Sequence, residues 1–140
     1  MTVLEAIKNY LAECPLLAGE RINADFLPPA IGSYSVDLTP ADPVLTRYVD
    51  GSTRRQALFV LSSREAYGPQ IRQNFENLAF FEQVSAWFET SGQLPELDGG
   101  RKAQKVEAVT CGYAFDADTD QARYQMQCRL TYFVGRNLNE

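Results

Sequence analysis

Histidine is absent from this chain, and with it the commonest general base and the commonest ligand for zinc or iron. Three cysteines are present, Cys14, Cys111 and Cys128, but none stands in a C-x-x-C pair, which argues against zinc-site and thioredoxin-like chemistry. The sequence also lacks a G-x-S-x-G elbow, a P-loop and a G-x-G-x-x-G turn. Basic runs are missing too. The nearest approaches are Arg54-Arg55 and Arg101-Lys102, each beside a turn, in a chain of net charge −5. Nucleic-acid binding draws on dense Lys and Arg that displace phosphate counterions, and an acidic surface repels DNA. Sequence-specific nucleic-acid recognition is therefore not expected. No apolar run approaches the ~20 residues of a membrane span, and MTVLEAIKNYLAECP carries acidic residues where a signal peptide would be apolar. No membrane association is expected, and the chain is read as made and kept in a cytoplasm.

What is present suits one domain spanning residues 1–140. A chain of 140 residues buries roughly two-thirds of its unfolded surface on folding. Hydrophobic residues at 45% and charged residues at 22% are ordinary for a globular domain, so neither a disulfide nor a metal is needed to hold it together.

Thr2 to Glu13 reads as an amphipathic helix, with Thr2 and Glu5 placed as a capping box and Leu4, Ile7 and Leu11 as its apolar stripe. Pro15 ends it, and Pro28-Pro29 makes residues 15–32 irregular. From Ser33 the period changes to two: Tyr34, Val36 and Leu38 alternate with Ser35 and Asp37. VLTRYV and TRRQALFVLSS follow, joined at Asp50-Gly51, a dipeptide favoured where a tight turn needs positive φ. Ala57 to Leu61 is apolar on both faces, the mark of a central strand.

The main helix opens at Gly68-Pro69 and stops at Gly92, with Ile71, Phe75 and Leu78 on one stripe and Phe80 and Trp87 roughly opposite. Two readings of that second side are open: loops cover it, or it makes a subunit contact through Phe80, Trp87 and Phe88. Two long strands, 103–115 and 122–134, complete the chain, with Cys111 opposite Cys128, Tyr113 opposite Met126 and Phe115 opposite Tyr124. Together these elements predict an α+β domain with a mixed or mainly antiparallel sheet of about 4–5 strands and two helices packed on one face.

Candidate chemistry is sparse. Asp116, Asp118 and Asp120 in FDADTDQARYQ have the spacing that opens a calcium loop, but Gln121 replaces the bend glycine and Gln127 the final bidentate Glu. They read instead as the acidic tip of a hairpin, with Asp116 opposite Arg123 at its neck. Cys111 and Cys128 would sit within reach of a disulfide, yet in a reducing compartment they read as structural thiols. Glu82, Glu89, Glu96 and Glu107 offer no converging acid–base pair. No catalytic residue, metal or cofactor is expected, and the turns at 50–55, carrying Arg54 and Arg55, and at 116–123 are the candidate partner contacts.

The order of YVDGSTRRQALFVLSSR, NLAFFEQVSAWFE, LPELDGGRKAQKVEAV and GYAFDADTDQARYQMQCRLTYFV behind a short N-terminal helix resembles the small minor-capsid and tail-completion proteins of long-tailed bacteriophages and prophages of Gram-positive bacteria. The resemblance spans Leu4 to Phe133 and carries no active-site residues. It implies a non-enzymatic virion protein of the tail or neck, assembled in the host cytoplasm. Tail terminators of this kind form homo-oligomeric rings, expected as hexamers, on the last turn of the tail tube. There they stop tube growth and take part in head–tail joining, so the implied partners are the chain itself, the tail-tube protein and the head–tail connector. An acidic channel wall would let DNA pass without sticking. The rival reading is a small-molecule-binding or enzymatic α+β domain, with a pocket between the 15–32 segment and the sheet; a calcium-responsive module is the third.

Overall fold

The computed structural model describes residues 1–118 and 120–136. In chain order the helices are α1 (Val3–Ala12) and α2 (Ile71–Thr90). The strands are β1 (Ile22–Ala24), β2 (Ser33–Thr39), β3 (Val44–Arg47), β4 (Thr53–Ala66), β5 (Arg101–Ala108), β6 (Tyr113–Ala117) and β7 (Gln121–Val134).

Two strands of 14 residues, β4 and β7, pair antiparallel along their whole length, from Thr53 opposite Val134 to Ala66 opposite Gln121. Two shorter strands lie end to end along the outer edge of each. β2 and β3 flank β4, while β5 and β6 flank β7. β1 joins the edge of β2 in parallel, so the sheet is mixed. The architecture is α+β, with two helices on one face of the sheet and seven strands where the periodicity showed about 4–5. The two extra strands have local causes. β1 is three residues of INA, too short to alternate, and the expected strand 103–115 is broken in two.

The break explains the register. Val109 and Thr110 both donate to the carbonyl of Gln127, at 2.7 and 3.2 Å, so two residues oppose one and the ladder is interrupted. Cys128 therefore faces Ala108 rather than Cys111, Tyr113 faces Gln125 rather than Met126, and Tyr124 faces Ala114 rather than Phe115. A second irregularity at Phe115 restores Asp116 opposite Arg123, as the sequence suggested. Cys111 is exposed and Cys14 and Cys128 are buried; all three are free thiols.

Alternation along the two central strands sends Phe59, Leu61, Tyr124, Met126, Cys128 and Leu130 towards the helices, where they are buried. α1 adds Ile7, Tyr10 and Leu11, and it is capped where Thr2 accepts the Glu5 N–H at 3.1 Å. α2 adds Phe81, Val84 and Phe88. This corrects the expected stripe: Ile71 and Phe75 are each 67% exposed. The roll of α2 is fixed by contacts that a 3.6-residue period does not encode. Asn77, buried in its first half, donates to the carbonyl of Ala66 at 2.8 Å, and Phe81 lies directly on Gly112.

That contact leaves no room for a side chain on Gly112. A Cβ there would stand 2.5 Å from the Cβ of Phe81 and 2.6 Å from its Cγ. Gly112→Ala must push α2 off the sheet or shift the 109–112 link, with an expected loss of about 1–3 kcal/mol by overpacking. Urea unfolding of the two chains checks this; an unchanged midpoint would show that Phe81 does not rest on the glycine.

Candidate functional site

Among the described residues no helix or further strand packs on the face of the sheet away from the helices, and its composition comes from the same alternation that built the core. Residues flanking each buried apolar position on β4 and β7 point the other way. Successive cross-strand rows there read Arg64–Arg123, Ser62–Gln125, Val60–Gln127, Leu58–Arg129, Gln56–Thr131 and Arg54–Phe133. β2 extends these rows with Ser35 and Asp37, β5 with Glu107, Lys105 and Lys102, and β6 with Tyr113 and Asp116.

One end of this face is tied down by Arg123. Its guanidinium donates to Ser62 Oγ at 3.1 Å and to Asp37 Oδ2 at 3.3 Å, while Ser35 Oγ donates to Asp37 Oδ1 at 2.9 Å. The Phe115 ring lies 5.6 Å from the guanidinium carbon, within cation–π range. Beside it, Tyr113 Oη accepts from Gln125 Nε2 at 2.8 Å and from Gln127 Nε2 at 3.2 Å. Ser35, Ser62 and Gln125 are buried on an uncovered face because they are shorter than the Arg and Tyr neighbours around them. The network ties side chains of β2, β4, β6 and β7 to one another at this end of the face, although the Arg123 Nε is buried without a partner. The opposite end carries an aromatic pair. Phe133 and Tyr48 have ring centroids 6.2 Å apart, next to Arg54 and Lys102 in the register.

The residues singled out in the sequence divide between this face and the core. Arg54 is on the uncovered face, but Arg55 points to the other side, where its Nε donates to Thr53 Oγ1 at 3.0 Å. Arg123 is on the face, although the carboxylate it meets is Asp37 rather than Asp116. Asp116, Asp118 and Asp120 are exposed at the hairpin tip. The Asp118 N–H donates to the Gln121 carbonyl at 2.8 Å, and the Asp120 carbonyl accepts from the Tyr67 N–H at 3.0 Å. Among the described residues no three acidic or thiol side chains are grouped closely enough to hold a metal ion.

Phe80, Trp87 and Phe88 are placed differently from the expected subunit contact. Phe88 is 6% exposed, Trp87 packs 4.8 Å from Tyr10 of α1, and Phe80 packs 5.6 Å from Tyr34 of β2. A helix and a strand cover this side of α2, so these rings join the core. The signal missed in the sequence was Asp37. Read as a wet-face residue of a strand, it is the carboxylate that positions Arg123. Lys102, Leu58 and Phe133 were also passed over, because only the completed sheet brings them together.

Two of the clefts off this face bear on the rival reading. One of 560 Å³ runs between the C-terminal end of α2 and edge strand β5, lined by Phe88, Leu94 and Val106 among others. One of 360 Å³ lies where the rival reading places a pocket, lined by Glu20, Arg21, Asn23 and Phe26. Nearby, at the end of β4, burial pushes the Glu65 carboxyl above its ordinary value of 4.5, with Glu20 adding in the same direction. Burial raises the neighbouring Tyr34 hydroxyl too.

Because the folded-state value of Glu65 is the raised one, its ionised form opposes folding at neutral pH. Stability should grow as pH falls through that raised value and stop growing below the ordinary carboxylate range. Glu65→Gln should therefore raise the melting temperature at pH 7, with the gain shrinking as the pH approaches about 4.5, the ordinary value. Thermal melts of both chains across that range check it; an equal shift at every pH would rule out titration of Glu65 as the cause.

No protein-family model matches the chain, and no curated protein matches it significantly.

Proposed function

We propose that this chain is a structural subunit of a phage or prophage virion that completes the tail tube and joins it to the head connector, working as a ring through protein–protein contacts. The observation that carries this reading is the uncovered sheet face. It is broad, polar and internally tied, with half-buried Leu58 and Phe133 among charged neighbours, a composition suited to another protein surface. A small-ligand site is concave and mostly enclosed by apolar groups, which a sheet face open along six rows is not. The resemblance carried by the order of segments from Leu4 to Phe133 supplies the kind of assembly. Exposed Asp50 and Gly51 at one end of the central strand pair, and exposed Asp116, Asp118 and Asp120 at the other, suit contacts above and below such a ring. Among the described residues no helix is long and apolar enough to cross a membrane.

Purified chain added to polymerising tail-tube protein should shorten the tubes and appear by electron microscopy at one end of each. Tubes of unchanged length without the chain at an end would overturn the proposal. A position of the gene beside those for portal, tail-tube and tape-measure proteins would support the same reading.

A further inference from the structure

The charge of this molecule is segregated between its two sides. On the uncovered sheet face the register collects Arg54, Arg64, Lys102, Lys105, Arg123 and Arg129 against Asp37, Glu107 and Asp116, a net of +3 in a chain whose total is −5. On the outward side of the helices, exposed Glu5, Glu13, Glu76, Glu82 and Glu89 stand against Lys8 and Arg72, a net of −3. Internal ion pairs neutralise only part of each side. Arg123 meets Asp37, Arg129 and Lys105 share Glu107, and Arg72 meets Glu76. Among the described residues, Arg54, Arg64 and Lys102 have no ion-pair partner on the sheet face, and Glu82 and Glu89 have none on α2.

Each charged side also carries apolar surface. Ile71 and Phe75 are each 67% exposed on α2, and at 100° per residue they share the flank of Glu82 and Glu89. On the sheet, half-buried Leu58 stands opposite Arg129 and half-buried Phe133 opposite Arg54, two rows apart. A cation-rich surface bearing two apolar side chains and a carboxylate-rich surface bearing two are complementary, and one chain presents both. Charges of this kind guide encounter and fix register, while the apolar side chains supply area removed from water.

We infer that a second copy of this chain docks the α2 flank bearing Phe75, Glu82 and Glu89 onto the uncovered sheet face around Leu58, Arg54 and Lys102. The inference rests on the reading of the chain as an assembly subunit and specifies which surfaces assemble. The contact is heterologous, joining different patches on the two copies, so each added copy leaves one sheet face and one helix flank open. Repeated, it closes a ring or runs on as a filament. Polyanionic nucleic acid is the competing occupant of a basic face. The chain's own acidic side is the better match, because it offers the complementary apolar pair as well as the charge.

The test uses two surface double variants of the full chain, Arg54→Glu with Lys102→Glu and Glu82→Lys with Glu89→Lys, followed by sedimentation at millimolar chain and low salt. Wild type should associate, and added salt should weaken the association. Each variant alone puts like charges on both sides of the contact, so its association constant should fall by roughly tenfold or more. Mixed in equal amounts, the two variants should regain association, because alternating copies restore opposite charges at every contact. Superimposable circular dichroism and thermal melts confirm that each variant is folded. A wild type that stays monomeric under these conditions, or a mixture no better than its parts, overturns the inference. Tight binding of labelled single-stranded DNA that Arg54→Glu with Lys102→Glu abolishes would also overturn it, in favour of nucleic acid. Association that ignores both variants places the contact elsewhere and defeats the inference, while tube termination, measured separately, decides the assembly reading on its own.

Discussion

The structure depends on one constraint, the unbroken 14-residue pairing of β4 with β7. The side-chain period of a strand is two, so a one-residue slip between these strands would exchange the core row Phe59–Cys128 and Leu61–Met126 with the polar rows beside it. The pairing therefore sets the hydrophobic face and the uncovered face in a single step. It also provides the edges along which β2, β3, β5 and β6 are laid, and the platform on which α2 finds Gly112 beneath Phe81.

From that constraint the character of the exposed surface follows. Once Phe59, Leu61, Met126, Cys128 and Leu130 are committed to the helices, the intervening Ser62, Gln125, Gln127 and Arg129 must share the other face. Polar side chains crowded on a sheet lose contact with water and need hydrogen bonds to one another in its place. The Arg123–Asp37–Ser35 and Tyr113–Gln125–Gln127 groups provide those bonds and hold the surface in one arrangement. A surface fixed in advance loses less conformational entropy when a partner seats on it, which suits an assembly contact.

Much of this was legible in the sequence because it depends on local period and turn chemistry. The Thr2 cap, the positive-φ glycines Gly51 and Gly92, and the central position of β4 all appear where those rules place them. Two features were hidden. The roll of α2 was misread because aromatic residues surround the helix, and only the Phe81–Gly112 contact and the Asn77 bond to Ala66 select the buried side. The split of 103–115 was hidden because it is visible only in the pairing, where Val109 and Thr110 both bond to Gln127, while VEAVTCGYAF alone reads as a continuous strand. The candidate surface suffered similarly. Arg54 and Arg123 could be picked out singly, but their gathering with Lys102, Leu58 and Phe133 needs three strands in register.

The central claim is that this uncovered face is a docking surface for another copy of the chain. Zero-length carbodiimide cross-linking of a concentrated mixture of isotopically heavy and light chains, read by mass spectrometry, tests it most directly. The account predicts mixed-isotope links from Lys102 or Lys105 on the sheet face to Glu82 or Glu89 on α2. Links found only within single chains, or joining surfaces that exclude the sheet face, would contradict it.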